Sequence, residues 1–180
     1  MVKPPPILIL SGPPGAGKTT VARRLAETSP TSAVHLHTDD FFTAIKTGFI
    51  APWLPESAPQ NATVSRVIAA AAVAYAQGGY AVYVDGVVGP WFLDLYRKAA
   101  ADAGVGLDYL VLRATREAVT ARARDRETAP LPHYPPRIFD GFVDLGALEP
   151  HVLDTTDLDV DAVAAAVLAG VASGRFRLGD

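Results

Sequence analysis

Five short apolar runs are spaced along the chain, and amphipathic stretches fill the gaps between them. Residues 7–10 (Ile7, Leu8, Ile9, Leu10) follow Pro4-Pro5-Pro6 and form a continuous apolar segment, as a buried parallel strand requires. Further strands are predicted at 33–38, 80–84, 107–112 and 152–153. Between them the period changes to that of a helix. Residues 17–28 set Val21, Ala22 and Leu25 against Arg23, Arg24 and Glu27, and Ser29-Pro30 ends the pattern. A helical turn is expected at 41–45, and a long helix at 61–77. The long helix places Val64, Val67, Ile68, Ala71 and Tyr75 at helical spacing and stops at Gly78-Gly79. Helices are also predicted at 90–103, 116–126, 138–145 and 160–172. Residues 46–59 are rich in proline and glycine but carry Phe49, Ile50, Trp53 and Leu54, so they read as an ordered cap.

Strand and helix alternate throughout, which implies an α/β fold of three layers: a five-stranded parallel sheet with helices on both faces. One domain over 1–180 is expected, with a cap near 46–61 and a small lid near 116–137. The composition fits: 49% of the residues are apolar, enough for a sizeable core. A net charge of −3 argues against a protein built to grip nucleic acid electrostatically. With no cysteine, disulfides, zinc–thiolate sites and thiol nucleophiles are excluded. The first apolar run is too short for a signal peptide and no stretch would span a membrane, so a cytoplasmic enzyme is the expectation.

The first strand runs into G-P-P-G-A-G-K-T, which fits the phosphate-binding pattern G-x-x-x-x-G-K-[ST] in its required strand–loop–helix setting. Gly12, Pro13, Pro14, Gly15, Ala16, Gly17, Lys18, Thr19 and Thr20 are the expected nucleotide-binding residues. Backbone N–H groups and the helix N-terminus would surround a triphosphate. Lys18 would reach the β- and γ-phosphates, and the Thr19 hydroxyl would hold Mg²⁺.

In a parallel sheet, ligands bind beyond the carboxyl ends of the strands. Polar residues stand at four such ends: Lys18-Thr19, Asp39-Asp40, Asp85 and Asp154-Thr155. Asp39 is the candidate general base for a hydroxyl acceptor; either Asp39 or Asp40 alternatively caps the next helix. Asp85 would hold a Mg²⁺-bound water or touch substrate, with Gly86 admitting a ligand to the backbone; a plain Asp-Gly turn is the other reading. Arg122, Arg124 and Arg126 lie on the basic helix beside a proline-rich loop, either closing over a nucleotide or forming a solvated face. Arg137 beyond the loop is a further candidate. His35 and His37 share one side of a strand but lack an evident third metal ligand. Trp53, Gln60 and Asn61 gather in the cap, as substrate contacts or as its apolar plug with two amides.

These motifs resemble the P-loop small-molecule kinases of nucleoside-monophosphate-kinase-like fold, a family that includes chloramphenicol phosphotransferase, shikimate kinase, gluconate kinase and the kinase half of polynucleotide kinase. The likeness covers nearly the whole chain. H-T-D-D-F-F is similar to the strand end carrying the family's catalytic aspartate, which matches Asp39. V-D-G at Asp85 looks like the D-G of adenylate kinase, and A-R-A-R-D-R resembles the lid helix. W-L-P, Q-N and D-G-V-V, here from Trp53, Gln60 and Asp85, are shared with bacterial members. The resemblance implies strand order 2-3-1-4-5, an adenine-stacking role for Arg122 and a phosphate role for Arg126. Shikimate kinase's substrate arginines on the third strand are missing, as is a clear adenylate-kinase nucleotide-binding pattern. The expectation is an ATP- and Mg²⁺-dependent phosphotransferase acting on a small-molecule hydroxyl, with Lys18, Asp39 and Arg126 catalytic. The alternatives are a polynucleotide 5′-hydroxyl kinase, or a nucleotide-binding ATPase or switch with no such acceptor.

Overall fold

The structure, a computed structural model, describes residues 4–119 and 136–179. Arg122, Arg124 and Arg126, the expected lid arginines, lie outside the described residues. Five strands, β1 (Ile7–Ser11), β2 (Ala33–His37), β3 (Ala81–Asp85), β4 (Leu107–Arg113) and β5 (Val152–Asp154), form one parallel sheet in the order β2-β3-β1-β4-β5. The expected order therefore holds. All five residues of β1 are buried, as the central strand of a sheet covered on both faces demands.

Side chains alternate across the sheet, so it feeds two cores. Ile7, Ile9, Val82, Val84, Tyr109 and Val111 pack under α3 (Ala58–Gln77) and α4 (Pro90–Asp102). Leu8, Leu10, Tyr83, Leu110 and Leu112 pack with Val21 and Leu25 of α1 (Lys18–Glu27), and with Val163 and Val167 of the last helix, Val160–Ala172.

Some boundaries differ from the sequence reading, each for a local reason. The strand expected to reach residue 38 ends at His37, and α2 (Thr38–Thr43) begins at once, with both aspartates in its first turn. His37 is the residue before that helix, so neither aspartate is its cap. The helix α3 starts at Ala58 rather than residue 61; Pro59 has no N–H to lose in a first turn, so it begins the helix instead of blocking it. Its buried face is Asn61, Val64, Ser65, Ile68, Ala69, Ala72 and Ala76, while Val67 and Tyr75 are largely exposed. The single helix expected at 138–145 is replaced by a short α5 (Pro136–Asp140) and a 3₁₀ helix, Gly146–His151. Gly146 has φ of 54°, where a glycine costs least, and Arg113 bonds the carbonyls of Phe142 and Val143 between the two pieces. The last helix, our α6, has the expected bounds and is capped by Asp159 accepting from the Ala162 N–H.

Candidate functional site

The phosphate loop sits where β1 hands over to α1. Gly12 has φ of 141°, and a Cβ there would stand 2.3 Å from the Leu112 carbonyl oxygen, so no side chain fits. Gly17, at φ 90°, precedes α1 and contributes no capping side chain, which leaves the first-turn N–H groups facing the loop. Lys18 is buried and its Nζ donates to the Pro13 carbonyl at 2.9 Å. A cavity of about 140 Å³ opens here, walled by Pro14, Gly15, Gly17, Lys18, Thr19, Thr20, His37, Asp39, Asp85, Gly86 and Val87. Three of the four polar strand ends thus meet. The fourth does not: Asp154 accepts from the backbone and hydroxyl of Thr156, and the Thr155 N–H donates to the Arg113 carbonyl.

Asp85 is the hub. The register pairs it with His37 on the neighbouring strand, which puts both side chains and that of His35 on the α1 face. Thr19 Oγ1 donates to Asp85 Oδ2 at 2.7 Å. On the other oxygen, Oδ1 accepts from His35 Nε2 at 2.5 Å and from His37 Nδ1 at 3.1 Å. Burial pushes the Asp85 carboxyl up, but the hydrogen bonds from His35, His37 and Thr19 outweigh it and hold the group well below the usual carboxylate range. The hydrogen bond to Asp85 raises the His37 pKa against the lowering effect of burial. His37 Nε2 also points toward Asp39, 3.6 Å from Oδ2, so one imidazole links Asp85 to the candidate base. The third partner absent from the H-x-H reading is Asp85: one ligand atom from each of the three residues lies within 4.8 Å of the others.

Gly86 lines the phosphate-loop cavity. A Cβ there would be 1.9 Å from Thr38 Oγ1, so the Thr38 side chain also packs against its backbone. The contact fixes the start of α2, and with it Asp39. Just beyond, Ser11 Oγ and Tyr109 OH both donate to the Val88 carbonyl, tying the segment after β3 to the root of the phosphate loop.

Asp39 also lines a second cavity, of about 570 Å³, with Thr38, Phe42, Thr43, Phe49, Pro52, Trp53, Asn61, Val87, Trp91, Phe92, Arg137 and Ile138. Asp40 lines neither cavity and is exposed. Trp53 and Asn61 therefore stand where the cap was expected to meet substrate, but Gln60 does not. Its amide bridges the N–H and C=O of Ile50 at 2.8 and 2.7 Å, bracing the cap from within. The sequence reading missed Phe42, Trp91 and Phe92. Trp91 opens α4 and lies against Gly89 and Gly141, where an added Cβ would come within 2.3 and 3.0 Å of its ring. The signal available was an aromatic pair placed directly after the D-G-V-V strand end.

Residues 7–135 match the AAA domain family. No match is found among curated proteins. Among solved structures, the chain is similar to a sugar kinase from Janibacter, at 22% identity and a TM-score of 0.69, covering 94% of this chain and 95% of that one. It is also similar to the APS kinase of Mycobacterium tuberculosis in complex with AMPPNP and APS, at 22% identity and a TM-score of 0.63, over 94% and 99% of the two chains. The tunicamycin resistance protein of Deinococcus radiodurans gives 20% identity, a TM-score of 0.69, and coverage of 93% and 95%. At these identities the likeness is one of fold, the three-layer arrangement of P-loop kinases.

Proposed function

Since the chain belongs to the AAA domain family and folds as P-loop kinases do, we propose that it is an ATP- and Mg²⁺-dependent phosphotransferase acting on a small-molecule hydroxyl. One observation carries the reading: Asp39 stands at the junction of the phosphate-loop cavity and the larger aromatic-lined cavity, and belongs to the walls of both. A group that deprotonates an acceptor beside a γ-phosphate needs that position.

The loop amides and Lys18 hold the β- and γ-phosphates. The Thr19 hydroxyl, backed by the ionised Asp85, offers the hard oxygen donors that suit Mg²⁺. Bound there, the ion would offset phosphate charge during transfer. Asp39 orients the acceptor hydroxyl and takes its proton as the new O–P bond forms, the β–γ bridging bond breaks and ADP leaves. His37, between Asp39 and Asp85, holds the base in place. The resemblance assigns adenine stacking to Arg122 and phosphate contact to Arg126 within this scheme.

The test is transfer itself. The protein is incubated with ATP, Mg²⁺ and a panel of hydroxylated compounds, and products are read by the mass gain of one phosphoryl group. Asp39→Asn should lower the rate by about 10²–10⁴-fold while nucleotide affinity stays near that of the native protein. Full transfer by the variant would remove Asp39 from the mechanism.

A further inference from the structure

We infer that the acceptor is an aromatic, largely apolar alcohol rather than a sugar or other polyol. The inference rests on the phosphotransferase reading and concerns the second cavity. Its walls carry five aromatic rings: Phe42, Phe49, Trp53, Trp91 and Phe92. Its volume, about 570 Å³, falls within the range of sites that enclose a whole small molecule, and such sites are mostly apolar with a few placed polar groups.

The polar side chains here, besides Trp53 and Trp91, are Thr38, Asp39, Thr43, Asn61 and Arg137, against five aromatic rings, and two of these side chains hold the cap and α2. Thr43 Oγ1 donates to the Asp40 carbonyl. Asn61 gives its amide hydrogens to the Pro52 carbonyl and Ser57 Oγ, at 2.7 and 2.8 Å. Its Oδ1 is buried and has no partner among the described residues. A polyol bears a hydroxyl on nearly every carbon. Asp39 and Arg137 can serve part of such a ligand, but hydroxyls set against the five rings would go unpaired, each weakening binding by roughly tenfold. An aromatic ring loses nothing on entry and gains edge or face contacts with the five rings. One hydroxyl is still needed, at the Asp39 end of the cavity. There its oxygen forms the bond to the γ-phosphorus, its proton passes to Asp39 and ADP departs. An N–H or second O–H on the ligand beside Asn61 would meet the unpaired Oδ1 after a small turn of that amide.

The chain's two tryptophans, Trp53 and Trp91, both line this cavity, so occupancy can be read by intrinsic fluorescence without nucleotide or turnover. Phenylpropanol and gluconate serve as probes, with mass detection of phosphorylated product as a separate arm. Phenylpropanol should change the emission saturably, gluconate should not at tenfold higher concentration, and only the former should gain a phosphoryl group. Phe49→Ser, at a half-exposed cap position that is not part of the core, should weaken phenylpropanol binding by about tenfold. Saturable binding and phosphorylation of gluconate, with phenylpropanol inert, would overturn the substrate class and leave the kinase reading standing. Aromatic alcohols that bind but are never phosphorylated would overturn the acceptor assignment, while the kinase reading falls only if no hydroxylated compound of the wider panel gains a phosphoryl group. Unchanged phenylpropanol affinity in Phe49→Ser would place the binding elsewhere and overturn the inference.

Discussion

Replacing Asp85 by Asn keeps the shape of the hub and removes its charge. Three hydrogen bonds converge on this carboxylate, from Thr19, His35 and His37, and the group is fully buried. A bond to an ionised acceptor contributes about 1.5–3 kcal/mol, and a neutral one about 0.5–1.5, so roughly 1 kcal/mol per bond is lost. The amide also turns an NH₂ toward one set of donors, where the carboxylate accepts from all three. Relief from burying a charge offsets part of this loss. A net destabilisation of about 1–3 kcal/mol follows, or a fall in Tm of roughly 3–10 °C.

The pH dependence of that loss identifies its cause. Asp85 is depressed in the folded state, so its contribution is present above the unfolded value of about 3.9 and disappears as pH falls through the folded value. His37 is raised, so its contribution is complete below about 6.5 and disappears as pH rises through the folded value. Both shifts describe one interaction and are counted once. The Tm gap between native protein and Asp85→Asn should be widest between about pH 4 and 6.5, close as pH falls below that window, and narrow above it to what Thr19 and the neutral imidazoles still contribute. The chain has four histidines, so their ring protons can be followed individually by NMR. The His37 midpoint should move down in the variant, and Mg²⁺-dependent nucleotide affinity should fall with it. A His37 midpoint that stays in place would refute the hub.

Gly86→Ala forces Thr38 to move, because the new Cβ would sit 1.9 Å from its hydroxyl. A displacement of about 1 Å at the start of α2 should cost roughly 10²-fold in transfer, with nucleotide binding little changed in a parallel titration. Glu149 is held down to about 2 by the Arg113 guanidinium and then by the Leu145 N–H. Its contribution is present above an unfolded value of about 4.3 and lost as pH falls toward 2, so Glu149→Gln should lower Tm at pH 6 but progressively less below pH 4.

The frame was legible because burial and local chemistry agree along β1 and the phosphate loop. An unbroken apolar run over residues 7–10 suits a strand buried on both faces, and three glycines at positive φ make the tight loop that follows. Asp39 and Asp85 were legible for a topological reason: both stand at strand ends on one edge. What escaped depends on pairing between distant segments. His35 and His37 become meaningful only when the register sets Asp85 beside them, some 50 residues later. Gln60 reads as a substrate contact in sequence and is a loop brace in space. Trp91 and Phe92 fall inside the predicted helix at 90–103, and only the fold brings them to the cavity that Asp39 lines. Pro59 was misread because a residue that breaks a helix interior is welcome in its first turn.

The cap from Ile50 to Asn61 is braced by its own hydrogen bonds. Gln60 closes on Ile50, Ser57 on Pro52 and Leu54, and Asn61 on Pro52 and Ser57. It therefore behaves as a cassette: its shape is set by bonds inside the segment, while Asp39, Asp85 and the phosphate loop are tied together by a separate set. Under the proposed function, exchanging the cassette should alter one wall of the second cavity while leaving the ties among Asp39, Asp85 and the phosphate loop in place.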